Sequence, residues 1–240
     1  MISFESIKQQ YGHLSGKELL SKLIRNNFPG RIALVSSFGA ESAVLAHMIS
    51  EIDPATPIIF VDTGKLFPET LEYRDTLIEQ LGLTNVITCS PDPTDLARRD
   101  PDGTLHERDH DACCALRKTD TLEKALRGYE AWITGRKRNH NDVRQSLNVL
   151  EVADWRLKAN PLADWSREDV EAYFIEHDLP RHPLVAQNYL SIGCAPCTTP
   201  VAEGEDPRAG RWRDTEKTEC GIHWTTNGQP LRDSDEVISA

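Results

Sequence analysis

The stretch Ile32-Ala33-Leu34-Val35-Ser36-Ser37-Phe38-Gly39-Ala40-Glu41-Ser42 decides the fold. Its first four residues are apolar, which predicts a buried strand over Ile32 to Val35, and the apolar spacing that follows predicts an amphipathic helix over Glu41 to Ile52. Small and hydroxyl-bearing residues form the turn between them, so backbone N–H groups and the positive end of the helix can hold a phosphate there. The stretch therefore predicts a nucleotide site at the end of a parallel strand.

The same alternation of strand and helix continues through most of the chain. Further strands are predicted over Pro57 to Val61, Val86 to Cys89 and Ala131 to Thr134, and further helices over Glu69 to Leu81, about Cys114 to Leu126, and from a capping-box-like start at Ser166. This pattern predicts an α/β fold, a Rossmann-like parallel sheet flanked by helices. We expect one domain over residues 1–192 and, where Gly, Pro and charged residues replace periodicity, a mobile arm over residues 193–240.

A second polar loop follows the second predicted strand, at Asp62-Thr63-Gly64. Parallel strands present their carboxyl ends at one edge of a sheet, so this loop should lie beside the first and meet a base or ribose. The first loop lacks both the Walker A pattern and the dinucleotide fingerprint. By itself it is equally consistent with a simple helix cap, and the second loop favours the binding interpretation.

Charge and composition exclude several classes of protein. The 240 residues carry a formal net charge of −11, which disfavours a nucleic-acid surface, so an anionic ligand must be met by local groups of cations. Such groups are Arg117-Lys118, Arg136-Lys137-Arg138 with Arg144, and Arg208 with Arg211 and Arg213. No charged-then-apolar leader and no apolar run of about 18 to 20 residues is present, so we expect a cytoplasmic protein without a membrane span.

Cysteine spacing predicts a soft-metal site and a separate reactive thiol. The pair Cys113-Cys114 is followed by Cys194-Ala195-Pro196-Cys197, Cys220 stands alone near the end, and Cys89 belongs to a predicted strand. Thiolates select zinc or iron–sulfur clusters, and adjacent cysteines cannot easily share one tetrahedral ion, whereas separate irons can each take one. The pattern therefore favours a [4Fe-4S] cluster over zinc.

Seven motifs together carry a resemblance to a known family. They are Ser36 to Ser42, Phe60-Val61-Asp62-Thr63-Gly64, Cys113-Cys114-Ala115-Leu116-Arg117-Lys118, Ile133-Thr134-Gly135-Arg136, Lys158-Ala159-Asn160-Pro161-Leu162, Cys194-Ala195-Pro196-Cys197 and Glu219-Cys220-Gly221-Ile222-His223. The first resembles the PP-loop of adenine-nucleotide α-hydrolase-like proteins. In order and spacing the others are similar to assimilatory adenylyl-sulfate (APS) and 3′-phosphoadenylyl-sulfate (PAPS) reductases, and the cysteine set resembles the cluster-bearing APS branch.

The resemblance implies a thiol mechanism. Cys220 would attack the sulfur of the sulfonucleotide, form an S-sulfocysteine and release AMP, or the 3′-phosphorylated product from PAPS. External thioredoxin or glutaredoxin would then release sulfite. Such an activity belongs to sulfate assimilation, with APS as substrate and PAPS as the other candidate.

The resemblance also implies a substrate site and a cluster site. Phosphosulfate binding requires cations, for which Lys118, close to Cys114 on one helix, and the arginine pair Arg208 and Arg211 are predicted. The other substrate-binding residues implied are Ser36, Ser37, Phe38, Gly39, Glu41, Ser42, Asp62, Thr63, Gly64, Gly135 and Arg136. The cluster ligands implied are Cys113, Cys114, Cys194 and Cys197.

Two other classes of protein remain as alternatives. An ATP-dependent PP-loop enzyme with an iron–sulfur cluster, of the tRNA-thiolating type, would use the loop for pyrophosphate, although Phe38 and Glu41 stand where such enzymes carry Gly and Asp. A non-catalytic metal-binding or redox-sensing protein is the other. The sequence leaves open the choice between APS and PAPS, the oligomeric state, the role of the cluster, and the roles of His110, Arg138, Arg144 and His223.

Overall fold

The computed structural model describes residues 3–138, 147–213, 215, 217 and 221. Within these ranges, six strands form one sheet: β1 (Ile32–Ser36), β2 (Ile58–Val61), β3 (Val86–Cys89), β4 (Ala131–Ile133), β5 (Leu150–Ala153) and β6 (Arg156–Ala159). Their order across the sheet is β3-β2-β1-β4-β6-β5. All neighbouring pairs are parallel except β5 and β6. The predicted α/β fold with a parallel sheet is confirmed, with one antiparallel edge strand added.

Helices cover both faces of this sheet. The α-helices of the described residues are α1 (Phe4–Tyr11), α2 (Gly16–Lys22), α3 (Ser42–Ile52), α4 (Pro68–Leu81), α5 (Pro93–Arg99), α6 (Leu105–Arg108), α7 (His110–Cys114), α8 (Asp120–Ala125) and α9 (Arg167–Glu176). Short π-helical turns lie at Leu23–Asn27 and Ala115–Thr119, and 3-10 turns at Pro183–Gln187 and Ala195–Cys197.

Alternation of side chains along the strands divides the core in two. Leu34 and Phe60 face the larger apolar cluster, which includes buried side chains of α2, α3, α4 and α9. Ala33 and Trp132 point to the opposite face, where Leu122 of α8 packs on them. Since strands that are buried on both faces are apolar throughout, the short uninterrupted apolar runs of the sequence were sufficient to predict them.

Two local predictions can be compared with the observed helix boundaries. The capping box of α9 is present, because the Ser166 hydroxyl accepts from Asp169 N and the Asp169 carboxylate accepts from Ser166 N. The helix predicted over about Cys114 to Leu126 is interrupted: α7 ends at Cys114, and a π-helical turn connects it to α8. Such π-helical turns frequently occur at functional sites.

The sequence analysis missed the hairpin of β5 and β6. Its two-residue turn, Asp154-Trp155, has positive φ at both positions, 53° and 31°, where glycine or asparagine is usual. Asp154 is common at the first position of such turns, but Trp155 stands where glycine normally follows, so the sequence lacks the usual hairpin pair. Its Trp155 is 58% exposed with the Arg156 guanidinium 4.1 Å from the ring centre, so this large aromatic side chain lies outside the core.

Residues 193–213 lie against the main domain. Cys194 forms a bridge with Leu66, Ala195 N donates to Lys65 O at 2.8 Å, and Trp212 is buried. Cys220 and His223, like Arg144, lie outside the described residues. No helix in the described ranges is both long and apolar enough to traverse a bilayer.

We expect His182 to make the stability of the fold pH-dependent. Its ring is buried, with Nε2 3.0 Å from Thr70 Oγ1, and burial lowers its pKa to about 4, partly opposed by Glu69. Between pH 6.5 and 4 the unfolded chain binds a proton that the folded chain does not, so stability falls as the pH falls through this window. Wild-type protein should lose about 3 kcal/mol more than His182→Gln over this range, measured by urea unfolding at several pH values. Parallel pH profiles would contradict this assignment.

Candidate active site

A cavity of about 390 Å³ opens at the carboxyl edge of the parallel strands. In the sheet, β1 lies between β2 on one side and β4 on the other. The chain continues from β1 toward β2 and from β4 toward β5 and β6, so the two connections run in opposite directions across the sheet, and the cavity lies between them. Open α/β sheets bind ligands at such a switch point. The volume falls in the range of a site for a small ligand, about 300 to 1,000 Å³.

The loop after β1 forms one wall of this cavity. Ser36, Ser37, Gly39, Glu41 and Ser42 line it. Together with Ala40 they surround the N-terminus of α3, which carries a partial positive charge.

Phe38 is the loop residue that does not line the cavity. Its backbone φ is 47°, its N–H donates to Ser36 Oγ at 3.1 Å, and its ring packs edge-on against Phe60 with centroids 5.4 Å apart. The ring is fully buried. Phe38 therefore anchors the loop in the core, and the residues that follow it face the cavity.

Glu41 is held by a lysine from another strand connection. Lys137, just beyond β4, is 2% exposed and its Nζ donates to Glu41 Oε1 at 2.7 Å. Both residues line the cavity. The ion pair joins the loops after β1 and β4, which are about 100 residues apart in the chain.

The cavity wall is strongly cationic although the chain as a whole is acidic. Among the described residues that line it, two are acidic, Glu41 and Glu171, and the basic ones are Lys118, Arg136, Lys137, Arg167, Arg181, Arg208 and Arg211. This local positive field suits a ligand with several negative charges. It agrees with the expectation that, in a chain with a net charge of −11, an anionic ligand is bound by a local group of cations.

The loop after β2 supplies Thr63 to the cavity, while Asp62 and Gly64 stand outside the lining. Asp62 Oδ1 accepts from Gly64 N at 2.9 Å, and Gly64 has a φ of 67°, so these two residues shape the turn. The Thr63 carbonyl accepts from Arg117 Nη1 at 2.8 Å, and the same guanidinium forms a buried ion pair with Asp100 at 2.5 Å. Arg117 thereby ties the loop to the π-helical turn.

The four cysteines of the predicted cluster set come together beside this loop. Cys113 and Cys114 are buried at the end of α7. Cys194, which pairs with Leu66, precedes the 3-10 turn, and Cys197 is the last residue of that turn. Burial raises the pKa of the Cys113 thiol, and proximity to Cys194 and Cys197 adds to the rise. Burial likewise raises the pKa of Cys197, with contributions from Cys194 and Cys114. The four thiols are therefore close enough to repel one another when ionised.

The pKa of Cys194 shifts in the opposite direction to those of Cys113 and Cys197. Burial opposes ionisation of Cys194, but the Lys118 ammonium and a hydrogen bond from Thr63 Oγ1, 3.3 Å from the sulfur, outweigh it and lower the pKa. Lys118 also lines the cavity. This side chain thus joins the cysteine set to the anion-binding wall.

The donor set can be tested against the kinds of metal centre. None of the five cysteines that the structure describes forms a disulfide bond. In the described parts of the chain, no three His, Cys, Asp or Glu side chains converge closely enough to hold one metal ion. A cluster needs no such convergence on a point, because its separate irons each take one thiolate.

Arg211 is packed flat on the backbone opposite the loop. A Cβ added to Gly193 would lie 2.3 Å from Arg211 Nη2 and 2.5 Å from Cζ, so the guanidinium occupies the space of a side chain there. Its other face lies against Trp212, with Cζ 4.4 Å from the ring centre. Arg211 Nε is buried and has no hydrogen-bond partner among the described residues. Arg211 lines the cavity, and its guanidinium retains this unused donor.

Other candidate residues have local partners. His110 Nδ1 lies 3.9 Å from Cys197 Sγ, and Arg138 donates to Leu147 O at 2.7 Å and pairs with Asp164. Near the end of the described chain, the Gly221 carbonyl accepts from Thr119 Oγ1 at 3.2 Å, next to Lys118. Lys217, three residues before Cys220, has its Nζ 5.5 Å from the ring centre of Trp212, which lines the cavity. Described residues on both sides of the predicted nucleophile therefore lie close to the cavity.

Several lining residues were not predicted from the sequence. The predicted Gly135 and Arg136 do line the cavity. Four lining residues without a prediction, Arg167, Arg181, Ser191 and Ile192, belong to α9 and to the chain after it, and no local motif marks them. Lys137 was also not predicted to bind substrate, although it belongs to a basic run in the sequence.

A serine-rich loop and a cationic cavity at the switch point of a parallel sheet define a nucleotide-binding α/β protein of the PP-loop class. Residues 31–200 match the family described as the phosphoadenosine phosphosulfate reductase domain. The chain belongs to this family.

Individual relatives agree with the family assignment. The chain is 52% identical over 213 residues to the adenosine 5′-phosphosulfate reductase of Mesorhizobium japonicum, covering 89% of this chain and 84% of that protein. It is 38% identical over 226 residues to the phosphoadenosine 5′-phosphosulfate reductase of Gloeobacter violaceus, covering 92% and 93%. The phosphoadenylyl-sulfate reductase of Candida auris, solved as a phosphate complex, has a TM-score of 0.70 at 28% identity and covers 83% of this chain and 98% of its own.

Gly193→Ala should displace the Arg211 guanidinium and thereby weaken binding of adenosine 5′-phosphosulfate. The backbone of Gly193 tolerates alanine, since its φ is not positive, and the end of a long side chain can move aside. We expect a loss on the order of 1.5 to 3 kcal/mol, as for Arg211→Ala, in calorimetric titration. The double variant should bind no worse than Arg211→Ala alone. Additive losses would show that Gly193 acts on the ligand by another route.

Proposed function

We propose that this chain reduces adenylyl sulfate to sulfite and AMP in sulfate assimilation. The observation that carries the proposal is the cationic cavity in which Lys118 lies beside Cys194 of the cysteine set. Family membership and the 52% identity to an adenosine 5′-phosphosulfate reductase support it. PAPS is the other candidate substrate, since a relative with 38% identity carries that name.

The substrate would lie along the wall of cations. The loop after β1 and the N-terminus of α3 would bind a phosphate through backbone N–H groups, with Ser37 and Ser42 nearby. Lys118, Arg208 and Arg211 would bind the phosphosulfate oxygens, and Thr63, Gly135 and Arg136 would complete the wall. Phe38, Asp62 and Gly64 would contribute by holding the loops in shape.

We infer that Cys113, Cys114, Cys194 and Cys197 hold a [4Fe-4S] cluster. The adjacent residues Cys113 and Cys114 suit the separate irons of a cluster better than one tetrahedral zinc ion, and the thiols of the set lie near enough to influence one another's pKa values. When bound, such a group would add a local charge beside Lys118 and tie α7 to the 193–213 segment. A redox-sensing role is the alternative.

The reaction would proceed through Cys220. Its thiolate attacks the sulfo group, the new S–S bond forms as the bond from sulfur to the AMP phosphate oxygen breaks, and AMP departs with the bonding electrons. A thioredoxin or glutaredoxin thiolate then attacks the Cys220 sulfur and expels sulfite. The second thiol of the reductant then attacks the mixed disulfide, which regenerates the Cys220 thiolate and leaves the reductant as a disulfide, oxidised by two electrons in total. These steps require a reducing compartment, for which we propose the cytoplasm.

Cys220→Ser should abolish sulfite release and leave nucleotide binding unchanged. A hydroxyl supplies almost no anion at neutral pH and is a poor nucleophile toward sulfur. Wild-type protein incubated with APS but without thioredoxin should gain about 80 Da, one sulfo group, on the peptide that contains Cys220, by the logic of a covalent intermediate. Mass spectrometry and a sulfite assay measure both results.

Four outcomes would contradict the proposal, each at a different point. An adduct on Cys89, or full activity of Cys220→Ser, would overturn the assignment of the nucleophile. AMP and pyrophosphate released from ATP would indicate the ATP-dependent class. Absence of binding to either sulfonucleotide would favour the non-catalytic class.

Anaerobically purified protein should contain about four irons and four sulfides per chain, as expected for a cubane cluster held by four cysteine thiolates. Serine at Cys113, Cys114, Cys194 or Cys197 should remove the visible absorption and the activity. Arg208→Ala should keep the absorption, because this residue lies outside the cysteine set. Stoichiometric zinc in a colourless protein would exclude the cluster.

A further inference from the structure

A carboxylate behind the cavity wall makes contact with one of the wall's arginines. Glu151, on the antiparallel edge strand β5, does not line the cavity. Its Oε2 lies 3.7 Å from Nη1 of Arg136, which does line it, and 3.3 Å from Nζ of Lys158. Arg136 and Lys158 are almost fully buried, with side chains 6% and 1% exposed, and Glu151 is 25% exposed.

The same carboxylate belongs to a hydrogen-bonded network that reaches the cavity by a second route. Asn160 Nδ2 donates to Glu151 Oε2 at 3.1 Å, and Thr134 Oγ1 donates to Asn160 Oδ1 at 2.7 Å. Thr134 Oγ1 in turn accepts from Arg136 N at 3.3 Å. The hydrogen bonds therefore hold the backbone of Arg136, and the ion pair at 3.7 Å connects the same carboxylate to its guanidinium.

Strand pairing explains why the carboxylate stands there. Glu151 is directly opposite Lys158 in the β5–β6 ladder, and Lys158 is opposite Trp132 of β4. Directly opposed residues on one face of a sheet lie within contact distance. The position of Glu151 is consequently fixed by the register of the hairpin and not by a loop.

A buried arginine that must bind an anion needs such a partner. An uncompensated buried cation is costly, and a flexible guanidinium loses conformational entropy when a ligand immobilises it. One carboxylate behind the guanidinium reduces both costs before the ligand arrives. The planar fork of the guanidinium then has a defined orientation when the ligand binds.

We propose that Glu151 is a positioning residue, which orients Arg136 toward the anionic substrate. This inference rests on the proposed function, because it assigns Arg136 to the same phosphosulfate site. Glu151 touches neither substrate nor reacting atoms, and its effect on the ligand passes through Arg136.

The test compares Glu151→Gln, Arg136→Ala and the double variant in the full-length protein. Glutamine keeps the shape and an acceptor for Asn160 but removes the charge. The dissociation constant for AMP, by calorimetry, and KM for APS should each rise roughly five- to tenfold in Glu151→Gln, with kcat within about twofold, which is the coupling expected of residues in contact. The double variant should bind no more weakly than Arg136→Ala alone.

Two control variants separate positioning from general stability. Glu130→Gln makes the same change of charge just before β4, at the end of the strand away from Arg136, where Glu130 pairs with Arg31 on the surface at 2.5 Å. It should leave the dissociation constant for AMP and the KM for APS unchanged. Lys158→Met removes the other cation beside Glu151 and should lower the thermal midpoint without changing the dissociation constant for AMP. If Glu151→Gln does not fold, the same comparison is made in the Lys158→Met background. There the loss of the Glu151 charge leaves one buried cation without its carboxylate, Arg136, instead of two.

The possible outcomes distinguish the inference from the proposed function. If wild-type protein binds AMP and turns over APS, but Glu151→Gln matches it or adds its loss to that of Arg136→Ala, the positioning role is wrong and the function stands. If wild-type protein neither binds AMP nor turns over APS, the proposed function fails and the inference fails with it. A raised KM with full coupling to Arg136 supports both.

Discussion

The buried ion pair between Arg117 and Asp100 is the interaction on which the site depends. One guanidinium binds the Asp100 carboxylate and also donates to the Thr63 carbonyl, so it links the segment before α6, the π-helical turn and the loop after β2. Although burial opposes ionisation, the hydrogen bonds from Arg117 lower the pKa of Asp100 and keep the pair charged. Loss of one partner would leave a buried charge and separate these elements, because no solvent is available to compensate.

The elements linked in this way bring two kinds of chemistry to one place. The π-helical turn follows Cys113 and Cys114 and carries Lys118, while the loop after β2 pairs with Cys194 and supplies Thr63. The cysteine set and the cationic wall therefore share a border, at which Lys118 contacts both. A change of charge on the cysteine set would alter the binding free energy of an anion in the cavity, because Coulomb interactions are strong in a partly buried site.

The carboxyl edge of the sheet explains how an acidic chain gathers so much positive charge. Each parallel strand ends at this edge, so the loops after β1, β2 and β4 converge there, and α9 with the 193–213 segment closes the far side. The supporting carboxylates stand in the wall or behind it: Glu41 holds Lys137, and Glu151 faces Arg136. Strand register fixes the position of Glu151, and both carboxylates reduce the repulsion among the cations of the wall.

The sequence by itself determined the alternation of strands and helices, the polar loops at Ser36 and Asp62, and the pairing of cysteines, because apolar periodicity and motif spacing are local properties of the chain. It could not determine that β5 would pair antiparallel with β6, since the turn at Asp154-Trp155 lacks the usual glycine or asparagine. Nor could it place Arg181, Lys137 and Glu151 around one cavity. Those positions depend on strand order and on contacts between residues far apart in the chain, which only the tertiary structure decided.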